Sequence, residues 1–138
     1  MAGESLNMVM STGTVDKLIN MGVLTQTAAN LGLPVRIFVT ATAVPAFRKE
    51  GYKTANVLPA GFDKFMAELG PGLQRINSGN WHGMLETSRE IGDVKIYMCS
   101  LMATALNLKK SDLDPLVDDI IGAAAFMQGA GNGEVIFI

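Results

Sequence analysis

Strand-like apolar runs and helix-spaced apolar residues alternate along this chain. Helical spacing begins at Val15 and ends at LGLP, Leu31 to Pro34, where glycine and proline stop a helix. A strand, a helix and a second strand at this spacing predict a right-handed βαβ unit with parallel strands. The strand-like runs are LNMVMS, VRIFVTA, DVKIYM and EVIFI, at 6–11, 35–41, 93–98 and 134–138.

The second half of the chain continues the alternation. Helices are predicted around Gly83 to Ile91, from Ser100 to Asn107 and through GAAAFMQGA. We therefore predict the α/β class, with residues 1–138 forming a single three-layer domain whose mainly parallel sheet has helices on both faces. Ligands of such sheets gather outside the carboxyl ends of the strands. The STGT turn after the first strand and Cys99 after DVKIYM fall at that edge.

The pattern weakens between Phe47 and Asn80, where only GFDKFMAEL looks helical, and only over a short span. An irregular stretch of this length in a small domain is typically a functional cover or a mobile segment. The residues that interrupt the pattern are Gly51, Pro59, Gly61, Gly70, Pro71, Gly72 and Gly79.

Composition narrows the classes of function. With 138 residues, of which 49% are hydrophobic and 17% charged, the chain is a compact globular protein. Its net charge of −2 and the absence of a Lys/Arg cluster argue against nucleic acid as a partner. The first residues lack a secretory pattern, and runs such as IIGAAAFM are too short to span a bilayer. These features predict a cytoplasmic protein with no membrane span.

Cys99 is the one cysteine of the chain, and His82 is its one histidine. Neither an internal disulfide nor a zinc cluster can form from this set, so no metal site is expected. The residues alone leave two interpretations of Cys99 open. It is either a small apolar side chain in the core or a reactive thiolate favoured by a helix start.

Other candidate residues also have two interpretations. Ser11, Thr12 and Gly13 in the STGT turn either present N–H groups and hydroxyls to an anion or simply cap the following helix. The turn matches neither the P-loop nor the GxGxxG pattern. His82 either assists Cys99 as a general base, if the fold brings them together, or is a surface or structural residue. DLDPLVDD, at 112–119, does not match a calcium loop and is expected to be a solvated turn.

Four blocks of sequence carry a resemblance to a known family. They are MVMSTGTVDKL, ANLGLPVRIFVTATAV, VKIYMCSLMATALNLKKSDL and IIGAAAFM, and together they span most of the chain. In this order they resemble the DsrE/DsrF-like family of small sulfur-trafficking proteins, in its peroxiredoxin-like branch. TATAVPAF and the glycine-rich stretch to Asn80 depart from the family pattern. The resemblance implies one α/β domain, usually assembled into homo-oligomers, and the position matching the family's sulfur-bearing cysteine is Cys99.

The resemblance also implies a chemistry for Cys99. Its thiolate would take sulfane sulfur from a donor, hold it as a persulfide or thiosulfonate, and yield it to an acceptor thiolate. Because there is no second cysteine, the acceptor would be a small sulfur-carrier protein or a low-molecular-weight thiol or persulfide. Ser100 and the first N–H groups of its helix would stabilise the anionic adduct, and no metal or organic cofactor would be required.

Whether such a protein is a sulfurtransferase or a non-enzymatic sulfur carrier stays open at this point. The alternative is a non-catalytic subunit, which either binds an anion or nucleotide at the STGT turn or serves as a scaffold in an oligomeric assembly. Thiol reactivity separates these functions. A homo-oligomer is also expected from the positive mean hydropathy, the nine methionines and the apolar EVIFI strand.

Overall fold

The computed structural model describes residues 4–76 and 80–138, so Gly79 and residues 1–3 lie outside the described residues. The strands are β1 Leu6–Met10, β2 Val35–Val39, β3 Val94–Cys99, β4 Asp119–Ile121 and β5 Glu134–Phe137. The helices are α1 Val15–Asn30, α2 Asp63–Arg75, α3 Trp81–Ile91, α4 Ser100–Ala105 and α5 Ala123–Ala130. Short 3-10 segments occupy Ala41–Phe47, Gly51–Lys53 and Lys110–Asp112.

The strands form one sheet in which every pairing is parallel, in the order β4-β3-β2-β1-β5. This arrangement confirms the predicted single α/β domain. Strand β4 was not predicted, because three residues are too few to show an alternating pattern. It is held by pairing with the last three residues of β3, and this pairing sets Ile121 beside Cys99.

The two faces of the sheet carry cores of different size. Met8, Ile37 and Ile96 belong to the larger core, which the buried residues of α1 and α3 cover. The other face carries a small cluster, which contains Val9, Phe38, Cys99 and Phe126 of α5. Helices therefore lie on both faces, as predicted. Cys99, the last residue of β3, therefore belongs to the smaller core.

Helix α2 is longer than the short helix expected in this region, because it continues through Gly70, Pro71 and Gly72 to Arg75. Its apolar residues repeat at helical spacing, yet none of its residues is buried. Phe62 and Phe65 are both more than half exposed. Among the described residues, no helix combines the length and the apolar character that crossing a bilayer requires.

The expectation that DLDPLVDD is a solvated turn is correct for the exposed Asp112 and Asp119 but wrong for Asp114 and Asp118. Asp114 is buried and bonds to His82, and Asp118 pairs with Arg89 while accepting the Ile96 N–H at 2.8 Å. Long-range partners from α3 and β3 satisfy these carboxylates, which local sequence spacing cannot reveal. These bonds connect α3 to the segment that precedes β4.

Candidate thiol site at the end of strand β3

Cys99 is the last residue of β3 and the N-cap of α4. The predicted position at the carboxyl edge of the sheet is therefore correct. Its side chain, however, is turned into the small cluster beside Val9, Phe38 and Phe126, and the residue is only 7% exposed. The thiol is covered in this conformation instead of being presented to solvent.

Ser100 follows as the first residue of α4 and is partly exposed. Its hydroxyl lies near the start of α5, because a Cβ built on Gly122 would be 3.6 Å from Ser100 Oγ. The start of α4, the start of α5 and the end of β3 therefore meet around the cysteine.

Arg36 and Phe126 are site residues that sequence reasoning missed. The Arg36 Nη1 group donates to the Phe126 carbonyl at 2.7 Å and to Asn7 Oδ1 at 3.2 Å. Its guanidinium also lies over the Phe126 ring, 4.9 Å from the centroid. One signal was present in the sequence, since Arg36 is a charged residue inside the apolar strand VRIFV. Such a residue usually has a specific partner.

The STGT turn lies at the same edge of the sheet but away from the thiol. Strand β2 separates β1 from β3 in the sheet, which puts the two strand ends about 10 Å apart. Several of its groups already have partners within the protein. The Ser11 N–H donates to the Ile138 oxygen at 3.0 Å, and the Gly13 N–H donates to Thr42 Oγ1 at 3.4 Å. The structure does not bring Ser11, Thr12 or Gly13 into the cluster around Cys99.

A cavity of about 370 Å³ lies beside this turn. Thr42, which the sequence analysis also missed, links its walls, because its hydroxyl donates to the Ser11 carbonyl at 3.1 Å and accepts from Gly13. A signal for Thr42 was its place directly after the second strand, at the same carboxyl edge as the turn. Lining residues include Gly13, Thr14, Thr42, Pro45, Gly51 and Val57.

Gly13→Ala is expected to destabilise the protein by about 1–3 kcal/mol, because the added Cβ would overlap the Thr42 carbonyl oxygen. Gly70→Ala is the matched control, since nothing lies within 4 Å of its Cβ position in α2. The control should be neutral or stabilising by up to about 1 kcal/mol. Urea unfolding measures both, and equal stability of the two variants would contradict the close approach of the turn to Thr42.

His82 lies in a separate polar cluster. Its Nε2 is 2.6 Å from Asp114 Oδ2, its Nδ1 is 3.2 Å from Glu86 Oε1, and Tyr52 stacks on the ring at 3.8 Å. Helix α3 packs on the face of the sheet opposite the Cys99 side chain. The structure therefore does not bring His82 to Cys99, and its geometry is that of a structural residue joining α3 to the segment before β4.

An exposed ion pair flanks this cluster at Tyr52. Lys53 Nζ contacts the Glu50 carboxylate. The hydrogen bond between them, followed by their mutual charge attraction, lowers the pKa of Glu50 and raises the pKa of Lys53. Because both side chains are exposed, solvent screens the pair and it adds little to the stability of the fold.

Comparison with known proteins bears on both the possible function and the fold. No protein-family model matches the chain. The sulfur carrier protein DsrE2 of Allochromatium vinosum is 25% identical to it over an alignment 156 positions long, which covers 98% of each protein. The chain is similar to a sulfur carrier over nearly its whole length. At this identity the similarity supports a DsrE-like protein and nothing more specific.

The fold match concerns the architecture alone. The solved structure of MTH1491, a protein of unknown function from Methanobacterium thermoautotrophicum, superposes with a TM-score of 0.56. The match covers 98% of this chain and 99% of that protein, at 10% sequence identity. It supports the single α/β domain, whereas the similarity to DsrE2 is the part of the comparison that concerns function.

Proposed function

We propose that this protein carries sulfane sulfur on Cys99 and exchanges it with the thiol of a partner. The observation that carries the proposal is the position of the single cysteine at the carboxyl end of a central parallel strand. Ligands and reactive groups of α/β sheets gather at this edge. The full-length similarity to a protein named as a sulfur carrier supports the same function.

The transfer balances without an added oxidant or reductant. The Cys99 thiolate attacks the outer sulfur of a donor persulfide, a new S–S bond forms, and the donor S–S bond breaks. The donor leaves as a thiolate, and Cys99 holds the outer sulfur as a persulfide. In the reverse step an acceptor thiolate attacks that outer sulfur and releases the Cys99 thiolate. Ser100, next in the chain, is the nearest hydroxyl in sequence to the adduct.

The acceptor is a separate molecule, because the chain has one cysteine. A small sulfur-carrier protein or a low-molecular-weight thiol would serve. The anion-binding alternative has less support, since the N–H groups of Ser11, Gly13 and Val15 already donate within the protein. Incubation of the native protein with a persulfide or polysulfide donor tests the proposal. Intact mass should rise by one sulfur atom and return on addition of a thiol, whereas an unchanged mass would contradict it.

We also propose that the chain assembles into a homo-oligomer. Leu101 of α4 and Phe137 of β5 are 70% and 74% exposed, and Met127 of α5 is also exposed. Phe137 is paired in register with Val9, so it lies on the same face of the sheet as the cysteine cluster. Exposed large apolar side chains favour association. Light scattering at micromolar concentration should give a multiple of the chain mass, and a monomer would contradict this proposal.

A further inference from the structure

Cys99 cannot react with a partner thiol in the conformation described, because the residue is 7% exposed and packed beneath apolar side chains. Attack on a sulfur atom requires direct access to the thiolate. A sulfur carrier with this structure must therefore open, and the question is which element moves. The buried neighbours of Cys99 in the cluster come from strands β1 and β2 and from helix α5, and partly buried residues that pack against them include Met102 of α4 and Ile121 of β4.

Of the elements that supply the buried neighbours of Cys99, helix α5 is the one that lies outside the sheet. It has eight residues, and only Phe126 and Ala130 among them are buried. Strands β1 and β2, in contrast, are paired on both sides within the sheet. Gly122 and Gly131 flank the helix at its two ends. Elements with few buried side chains open more readily than the sheet on which they lie.

Two contacts keep α5 in place over the thiol. The Phe126 ring, 1% exposed, stacks on Phe38 with centroids 4.9 Å apart. Arg36 reaches from the middle of β2 to the Phe126 carbonyl, and its guanidinium lies against Gly129, where a Cβ would overlap it. Arg36 therefore binds the backbone of the helix whose Phe126 side chain belongs to the cluster around Cys99.

We propose that α5 is a movable cover of Cys99, closed by Phe126 and latched by Arg36, and that sulfur exchange takes place when it lifts. This inference rests on the proposed function of Cys99 as the sulfur carrier. It assigns Phe126 and Arg36 as gating residues, which control access to the thiol without touching the transferred sulfur. A partner that binds α5 or displaces it would open the site.

Native-state alkylation of Cys99 by iodoacetamide, followed by intact mass, tests the cover directly. Phe126→Ala removes the side chain over the thiol and should raise the labelling rate about tenfold or more. Gly129→Ala should also raise it, because the new methyl group displaces the guanidinium while Phe126 is retained. Leu85→Ala is the matched control, since Leu85 is fully buried in the core on the opposite face. It should label at close to the wild-type rate under native conditions.

If Phe126→Ala folds poorly, the dependence of the wild-type labelling rate on urea concentration still tests the proposal. Wild-type labelling should be nearly independent of urea at low concentration, because a local opening exposes little surface. The proposed cover would be overturned if the labelling rate rose with urea as steeply as global unfolding does, even at the lowest urea concentration. It would also be overturned if Leu85→Ala and Gly129→Ala accelerated labelling equally. Loading with a persulfide donor is read separately. Faster alkylation without sulfur uptake would refute the carrier function and leave the cover intact.

Discussion

Cys99→Ser is expected to abolish sulfur loading while the protein still folds. A hydroxyl is scarcely ionised at neutral pH and cannot form a persulfide, so the gain of one sulfur atom in intact mass should disappear. Because the position is buried, the serine hydroxyl loses its hydration, and stability should fall by about 1–3 kcal/mol unless the hydroxyl finds a partner. Thermal unfolding and intact mass after donor treatment measure the two effects.

Cys99→Ala is the matched control for that substitution. It removes the thiol without placing a polar group in the cluster around Phe38 and Phe126. Both variants should lose loading, but the serine variant should be the less stable of the two, because only it buries a hydroxyl. A variant that still gains sulfur would show that another group carries it. Failure of the wild type to load under the same conditions would refute the carrier function.

His82→Ala is expected to lower the free energy of unfolding by about 3 kcal/mol, because it removes the partner of a buried carboxylate. Asp114 bonds to His82 at 2.6 Å, and after the substitution it would retain the N–H of Leu116 at 2.8 Å. The stacking of Tyr52 on the imidazole is lost as well. For a domain of this size the thermal midpoint should fall by roughly 10 °C.

Glu86→Gln provides the control, because Glu86 is the other partner of His82 but its side chain is 60% exposed. Exposed pairs contribute less than about 1 kcal/mol, so this variant should unfold close to the wild-type midpoint. Equal midpoints for the two variants would contradict the structural role of the His82 and Asp114 pair. Folded His82→Ala should still load sulfur, since α3 and the Cys99 side chain lie on opposite faces of the sheet. Loss of loading would instead indicate a chemical role for His82.

The sequence predicted those parts of the fold that depend on local patterns. Apolar runs and glycine or proline boundaries placed β1, α1 and β2 within a few residues, and they placed Cys99 at the end of β3. The direction of the Cys99 side chain was not accessible in the same way. Its burial depends on distant elements such as α5, which begins 24 residues later and contributes Phe126 to the same cluster.

Pairs that are distant in sequence account for the rest of what was missed. Asp114 and Asp118 resemble solvated turn residues until α3 brings His82 and Arg89 to them. Arg36 was visible as a charge inside an apolar strand, yet its partner is a backbone carbonyl 90 residues away. Because every residue has a backbone carbonyl, the sequence does not indicate which one Arg36 binds. Such contacts are specified by the tertiary fold and not by spacing along the chain.

The exposure of helix α2 affects which substitutions this chain can accept during evolution. Because none of its residues is buried, a substitution there removes little apolar surface from the core and costs the domain little stability. Its exposed Phe65 can therefore be exchanged, or the segment lengthened or shortened, while the sheet and the thiol site persist. Selection can act on this helix almost independently of the rest of the molecule, which makes it the part of the chain most open to acquiring new binding partners.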